Sequence, residues 1–345
     1  MRRLPIYVLI DCSESMIGAG MTGVQTGIET MVRTLQRNPH ALETAYLSFI
    51  TFDSRAELKT PLQPLDEVQV PKLRVRPGTA FGSALLLLAE RILQEVRRNQ
   101  PGAKGDFRPI IVLITDGQPS DDWRTPLKEL HNTASIGNFY AIGAGDDIDF
   151  AGLKEVTDIV LNLHQTDEQG WAKLFVWISD TLSTASMGVA DGDEKEVMLA
   201  KLPLSIEKVD DTHWGSDHSN DGPPRQLFLY GLCGVKRLPY LMRYGFDPHH
   251  GIYHPTAAHK LDQENADFGD RGGRLPPVDS RVVNGCPDCP HCGSPGAGSC
   301  GNCGTVFCGG ARQDDGKSVC PGCNAQLTIN RSDNGGGFKI RASEG

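Results

Sequence analysis

An α/β fold with a doubly wound, mostly parallel sheet is what the sequence predicts for its first half, followed by a small zinc-stabilised module near its end. Three observations carry that expectation. The runs Leu4 to Ile10 and Ile110 to Ile114 are apolar nearly throughout, the mark of strands buried on both faces of a parallel sheet. Stretches of helical periodicity alternate with such runs, as crossover connections require. Eight of the ten cysteines crowd into residues 286–323, a clustering that points to metal ligation and away from disulfides.

After the first strand, Gly18 and Gly20 mark a loop. Val24, Ile28, Met31, Val32 and Leu35 then repeat at helical spacing up to Asn38-Pro39, which defines a first crossover helix. Residues 44–53 read as the next strand and 56–65 as its partner. The Gly-rich loop Pro77-Gly78-Thr79-Ala80 opens a helix that turns Leu85, Leu88, Ala89, Ile92 and Val96 to the core. Residues 109–115 form the central strand, 123–134 a helix, 139–142 a strand ending in Gly143-Ala144-Gly145, and 167–183 a last amphipathic helix.

From about residue 186 the pattern changes. Gly188 to Asp193 reads as a linker, Val197 to Val209 as strand-like, and Asp210 to Pro224 as a polar, Gly/Pro-rich run before apolar Gln226 to Phe246. Asp247 to Asn284 has little periodicity. Its His249, His250, His254 and His259 are spaced irregularly around Gly251 and Pro255, which favours solvated loop histidines over metal ligands. The expected layout is a first domain over 1–186, a middle segment of unassigned fold over 187–284, an eight-cysteine zinc module over 285–330, and a flexible tail over 331–345 containing Gly335-Gly336-Gly337.

The candidate zinc ligands are Cys286, Cys289, Cys292, Cys300, Cys303, Cys308, Cys320 and Cys323. Cys-Pro-His-Cys-Gly at 289–293 and Cys-Pro-Gly-Cys-Asn at 320–324 have the form of zinc knuckles, turns that aim two thiolates at one tetrahedral ion. Eight thiolates suffice for two Zn²⁺ ions; the spacing leaves their pairing open, and His291 is a spare donor. Cys12 and Cys233 stand alone, and Cys12 reads as a small core hydrophobe. So short a segment has too few apolar residues for a core, so zinc is expected to supply its folding free energy.

At 345 residues the chain is long enough for two or three domains, and its charged fraction of 22% is ordinary for a soluble protein. No apolar run approaches the roughly 20 residues needed to span a bilayer. The net charge of -9 disfavours nonspecific binding to nucleic acid or an anionic membrane. Residues 281–345 carry a formal +1, which two four-thiolate zinc sites would turn to about -3, so nucleic-acid binding ranks low. Met-Arg-Arg-Leu-Pro leads straight into the first strand, and a cleaved signal peptide would destroy that strand; a cytoplasmic chain is expected.

The first strand ends in Asp11-x-Ser13-x-Ser15, one carboxylate and two hydroxyls leaving the carboxyl end of a central strand. Such oxygen donors suit a hard cation such as Mg²⁺. Thr79 in its Gly-rich loop and Asp116 after the second buried strand complete a set that resembles the metal-ion-dependent adhesion site of von Willebrand factor A domains. The resemblance covers about residues 4–185 and implies a Rossmann-like fold. It also implies Mg²⁺, or Mn²⁺ or Ca²⁺, held by Asp11, Ser13, Ser15, Thr79 and Asp116, with one position open for a partner's carboxylate.

An A domain followed by Pro239-Tyr-Leu-Met-Arg-Tyr244 and then by Cys-Pro-x-Cys-Gly at 289–293, Cys-Gly at 303–304 and Cys-Pro-x-Cys at 320–323 resembles the TerY family of bacterial tellurite-resistance and stress systems. That resemblance implies a non-catalytic adaptor acting with a serine/threonine kinase and a PPM-type phosphatase. Cys286, the gap between Cys300 and Cys303, and the His/Pro-rich segment depart from the family pattern.

Other readings of these residues lead elsewhere. Asp11 and the serines could cap the first helix, but this leaves Thr79 and Asp116 unexplained. Asp11 and Asp116 could form a two-carboxylate site for phosphoryl transfer, yet no Gly-x4-Gly-Lys-Ser/Thr loop or kinase catalytic loop is present. The thiolate cluster could instead sequester soft metal or metalloid ions.

Overall fold

The computed structural model describes residues 2–116, 118–144, 148, 150–163, 167–190, 206–209, 223, 226–261, 277–311, 317–328 and 339–344. The chain divides into two compact units, Met1–His218 and Ser219–Gly345.

The first unit contains β1 (Leu4–Asp11), α1 (Ala19–Gln36), α2 (Pro39–Thr44), β2 (Ala45–Phe52), β3 (Ala56–Pro64), α3 (Phe81–Glu95), β4 (Ile110–Thr115), α4 (Arg124–Thr133), β5 (Asn138–Ala144), α5 (Phe150–Val156), β6 (Ile159–Leu163), α6 (Glu168–Ala190) and β7 (Ile206–Lys208). The sheet order is β3-β2-β1-β4-β5-β6-β7. β1, β2, β4, β5 and β6 run parallel, and β3 and β7 are antiparallel edges.

The near-continuous apolar run of β1 is explained by its two faces. Ile6, Val8 and Ile10 enter one core with α1 and α6, whereas Tyr7 and Leu9 enter the other with α3, α4 and α5. All five apolar positions predicted for the first helix are buried on α1. The helix predicted for 167–183 continues to Ala190, and 191–193 of the expected linker lie outside the described residues. Of the strand-like stretch 197–209, residues 206–208 form β7, and 197–205 lie outside the described residues.

α1 packs against α6 so closely that a Cβ on Gly27 would fall inside the Phe175 ring. Alanine in place of a helical glycine would ordinarily gain about 0.5–1 kcal/mol. Overpacking against this fully buried ring costs about 1–3 kcal/mol, so Gly27→Ala is expected to lower the stability of the first unit, measured by urea denaturation.

The second unit contains β8 (Gln226–Leu232), β9 (Pro239–Asp247), β10 (Ile252–Lys260), β11 (Pro277–Asp279), β12 (Ala297–Ser299), β13 (Val306–Cys308), β14 (Lys317–Val319), β15 (Gln326–Thr328) and β16 (Lys339–Glu344). Its main sheet runs β10-β9-β8-β13-β12, with β16 paired to β8 and β11, and β14-β15 form a separate ribbon. The segment expected as an unassigned middle therefore supplies the body of the cysteine-rich unit. The antiparallel meander β8-β9-β10 buries Leu227, Leu229, Tyr240, Met242, Tyr244 and Tyr253 in one cluster with Cys233, Cys289 and Cys308. The module is thus not a bare 285–330 segment, because its knuckles pack on a hydrophobic sheet. Residues 339–344 of the expected tail form β16, hydrogen-bonded to β8.

Candidate metal centres

β1 and β4 lie side by side where the strand order reverses. The chain leaves β1 toward β2 and β3 and resumes at β4 on the other side, so the loops after β1 and β4 flank a crevice, the usual ligand site of such sheets. Asp11 Oδ1 accepts the Ser13 N–H at 2.9 Å, and Oδ2 accepts the Thr115 hydroxyl at 2.6 Å. The Ser13 and Ser15 Oγ atoms are 2.9 Å apart, and Ser15 Oγ donates to Asp116 Oδ1 at 2.6 Å. Asp11, Ser13, Ser15 and Asp116 thus form one polar chain across the two strands.

Thr79, on its own loop, lines a small cleft with Thr115, Phe81, Leu113 and Trp123. Two residues missed by sequence reasoning hold that loop. Glu14, buried in the middle of the motif, accepts the Gly78 N–H at 2.8 Å. Ser120 Oγ accepts the Thr79 N–H at 3.1 Å, and the Ser120 N–H donates to the Thr79 carbonyl at 2.9 Å. Asp121 then accepts the Gly82 and Ser83 N–H groups in the first turn of α3.

Asp11, Ser13 and Thr79 are buried, whereas Ser15 and Asp116 are half-buried and form the open side. Burial pushes the Asp11 carboxyl up to about 6, against the pull of the Thr115 and Ser13 hydrogen bonds, and Glu14 adds repulsion. A buried acidic group ringed by hydroxyls is the donor set a hard divalent cation fits.

The cysteines form two groups, Cys233, Cys289, Cys292 and Cys308, and Cys300, Cys303, Cys320 and Cys323, with the sulfurs in each within 4.8 Å of one another. The Sγ atoms of Cys292 and Cys308 are 3.6 Å apart, those of Cys300 and Cys323 3.7 Å, and those of Cys303 and Cys320 3.6 Å. A tetrahedral zinc ion with bonds of about 2.3 Å needs sulfurs about 3.8 Å apart, so both tetrads fit zinc. The two sites interleave along the chain, since Cys300 and Cys303 of the second lie between Cys292 and Cys308 of the first.

One expected ligand is corrected. Cys286 lies outside both tetrads, beside the Tyr244 hydroxyl, and Cys233 takes its place. The reason is sheet register. β13 pairs parallel to β8 with Val306 opposite Gly231 and Phe307 opposite Leu232, which carries Cys308 to the side of Cys233.

A repeated backbone turn underlies all four ligand-bearing loops. The N–H of Cys233, Cys289, Cys300 and Cys320 donates to the carbonyl five residues on, and each cysteine carbonyl accepts the N–H four residues on. Those fourth residues, Arg237, Gly293, Gly304 and Asn324, all have positive φ. The Cys233 loop is therefore a knuckle with Lys236 where the other three carry their second cysteine. Its signal in the sequence was Cys233-Gly234 between two apolar runs. Arg237, at φ 56, occupies a left-handed position that costs a side chain about 1–2 kcal/mol, against about 0.5–1 kcal/mol of extra chain entropy for glycine. Arg237→Gly is expected to raise the second unit's stability by up to about 1 kcal/mol, read as a higher denaturation midpoint at full zinc loading.

The four histidines sit on the β9–β10 hairpin and join neither tetrad. His250 Nδ1 lies 2.6 Å from Asp247 Oδ2, and His259 is pushed down by burial. Among the described residues no helix is long and apolar enough to cross a membrane.

Comparison with known proteins finds two family matches. The model for the von Willebrand factor type A domain matches residues 6–170, and that for the TerY-C metal binding domain matches residues 225–345. Among solved structures, von Willebrand factor type A from Catenulispora acidiphila is 22% identical, covering 53% of this chain and 43% of its own, with a TM-score of 0.42. Proximal thread matrix protein 1 from the mussel byssus, solved with a zinc-occupied MIDAS motif, is 17% identical, covering 54% of this chain and 46% of its own, with a TM-score of 0.39. The PilB minor pilin from Streptococcus sanguinis is 15% identical, covering 53% and 61%, with a TM-score of 0.40. The matches thus span about half the length of the solved proteins. No curated protein matches the sequence. The chain thus carries a von Willebrand factor type A domain followed by a TerY-C metal binding domain.

Proposed function

We propose that the chain is a non-catalytic, cytoplasmic adaptor that docks an acidic residue of a protein partner through Mg²⁺ held by Asp11, Ser13, Ser15, Thr79 and Asp116. The observation that carries this reading is the polar chain from Thr115 through Asp11 to Ser13, Ser15 and Asp116, open to solvent at its far end. Neutral hydroxyl donors leave a bound ion electrophilic, and a six-coordinate ion retains a position for an incoming carboxylate. The TerY-C domain, with zinc in both tetrads, extends the interaction surface. Its place is a stress-response system of the tellurite-resistance type, with a Ser/Thr kinase and a PPM-type phosphatase as partners.

A lysate pull-down comparing Mg²⁺ with its omission, and wild type with Ser15→Ala, tests this. Retention of a kinase or phosphatase only with Mg²⁺ and intact Ser15 is the expected result; a partner retained equally without divalent ion would sink the metal bridge.

One observation favours the metal-handling alternative. Cys303 is exposed, which opens one corner of the second tetrad to solvent, and a hydrogen bond from Thr305 pulls its thiol down. On that reading cadmium displaces zinc from the second tetrad within minutes, whereas a closed structural site resists exchange.

A further inference from the structure

The segment Lys72 to Arg76 alternates strictly. Leu73 and Val75 are buried in the core, so Lys72, Arg74 and Arg76 project together on the opposite side. There they line a cavity of about 200 Å³ with Lys59 of β3. Its floor is Cys12, Thr51 and Asp53, buried residues at the carboxyl ends of β1 and β2.

The charge balance is unusual for this molecule. Lys59, Lys72, Arg74 and Arg76 face Asp53, and Glu57 beside them is ion-paired to Arg55, Lys59 and Arg76. Arg76 also lies 3.8 Å from Asp53 Oδ2, and among the described residues lining the cavity four cations stand with one carboxylate. A single carboxylate would need one arginine; this many cations match a doubly charged oxyanion with several acceptor oxygens. Burial pushes the Asp53 carboxyl up, against the pull of the Arg55 N–H and of Arg76.

We propose that this cavity binds a phosphoryl dianion, either a free phosphate or a phosphorylated side chain, at a site separate from both metal centres. It shares backbone with the adhesion site, since the Arg76 N–H donates to the Cys12 carbonyl at 2.9 Å and Cys12 lies between Asp11 and Ser13. Occupancy would fix the stretch that leads into the Thr79 loop.

Calorimetric titration of the full chain, at constant ionic strength and without added divalent ion, tests the assignment. The probes are sodium phosphate, a Gly-phosphoserine-Gly peptide and its unphosphorylated form. Saturable phosphate binding is expected, unchanged when Mg²⁺ is then added, and weakened at least about tenfold in the double variant Lys72→Gln/Arg74→Gln. Both of those side chains are exposed, and circular dichroism with zinc content checks that the variant folds. Binding of the phosphopeptide in competition with phosphate identifies a phosphorylated side chain as the ligand, and phosphate binding alone identifies the free anion. Absence of saturable phosphate binding, or binding unchanged in the double variant, overturns the proposal. Binding that appears only once Mg²⁺ is added, and is unchanged in the double variant, overturns the proposal and moves the anion to the adhesion-site metal.

Discussion

Cys233→Ser is expected to release one of two bound zinc ions and to unfold the sheet of the second unit, whereas Cys286→Ser leaves zinc content and melting unchanged. Structural zinc in small modules contributes about 10–16 kcal/mol of apparent binding free energy, comparable to or above the roughly 5–15 kcal/mol by which whole domains are stable. Losing one thiolate of four therefore removes a large share of what holds β8 to β13. The Cys233 Sγ accepts the Lys236 N–H at 3.3 Å, and Cys308 Sγ accepts the Gly234 N–H at 3.1 Å, so these contacts are broken as well. Metal content by mass spectrometry and a thermal melt of the full chain decide it. Two zinc ions retained in Cys233→Ser but not in Cys286→Ser would contradict the tetrad assignment.

Asp11→Asn is expected to abolish divalent-ion binding at the adhesion site, at least about a hundredfold in affinity, while leaving the ion-stripped first unit more stable at neutral pH. The sign follows from the raised carboxyl. In the unfolded chain Asp11 ionises near 3.8 and in the folded unit near 6. Between those values the folded state holds the extra proton, so Asp11's contribution to stability is fully present below about pH 4 and is lost as pH rises through 6, on the order of 3 kcal/mol. Asparagine removes that slope, and Mg²⁺ should flatten it in wild type by stabilising the ionised form. Urea denaturation at pH 4.5 and 7.5, with and without Mg²⁺, measures both effects. A wild-type unit with no pH slope in the absence of divalent ion would refute the argument.

The legible part of this chain was local. The β1 run, the helical spacing of Val24 to Leu35 and the Asp-x-Ser-x-Ser motif each declare their structure within a dozen residues, and the sheet order then brings Asp11, Ser15 and Asp116 together. What escaped depends on distance along the chain. Glu14 and Ser120 look like ordinary polar residues until the fold sets them on either side of the Thr79 loop. Cys233 looks solitary because its partner strand begins more than seventy residues later. The meander β8-β9-β10 was hidden by its composition: Tyr240, Met242 and Tyr244 alternate inward, but His, Pro and Gly around β10 mask the period.

The register of β8 with β13 also bears on how fast the second unit can form. Parallel pairing across so long a stretch is a slow search, because the loop must close before any contact repays it. Cys233 follows β8 directly and Cys308 ends β13. A metal ion captured first by the Cys289–Cys292 knuckle needs only those two sulfurs to complete its shell, and recruiting them lays the strands side by side in register. An ion held by the first tetrad would then act as a nucleation point as well as a fastening, and the second unit is expected to fold faster with zinc present than without it.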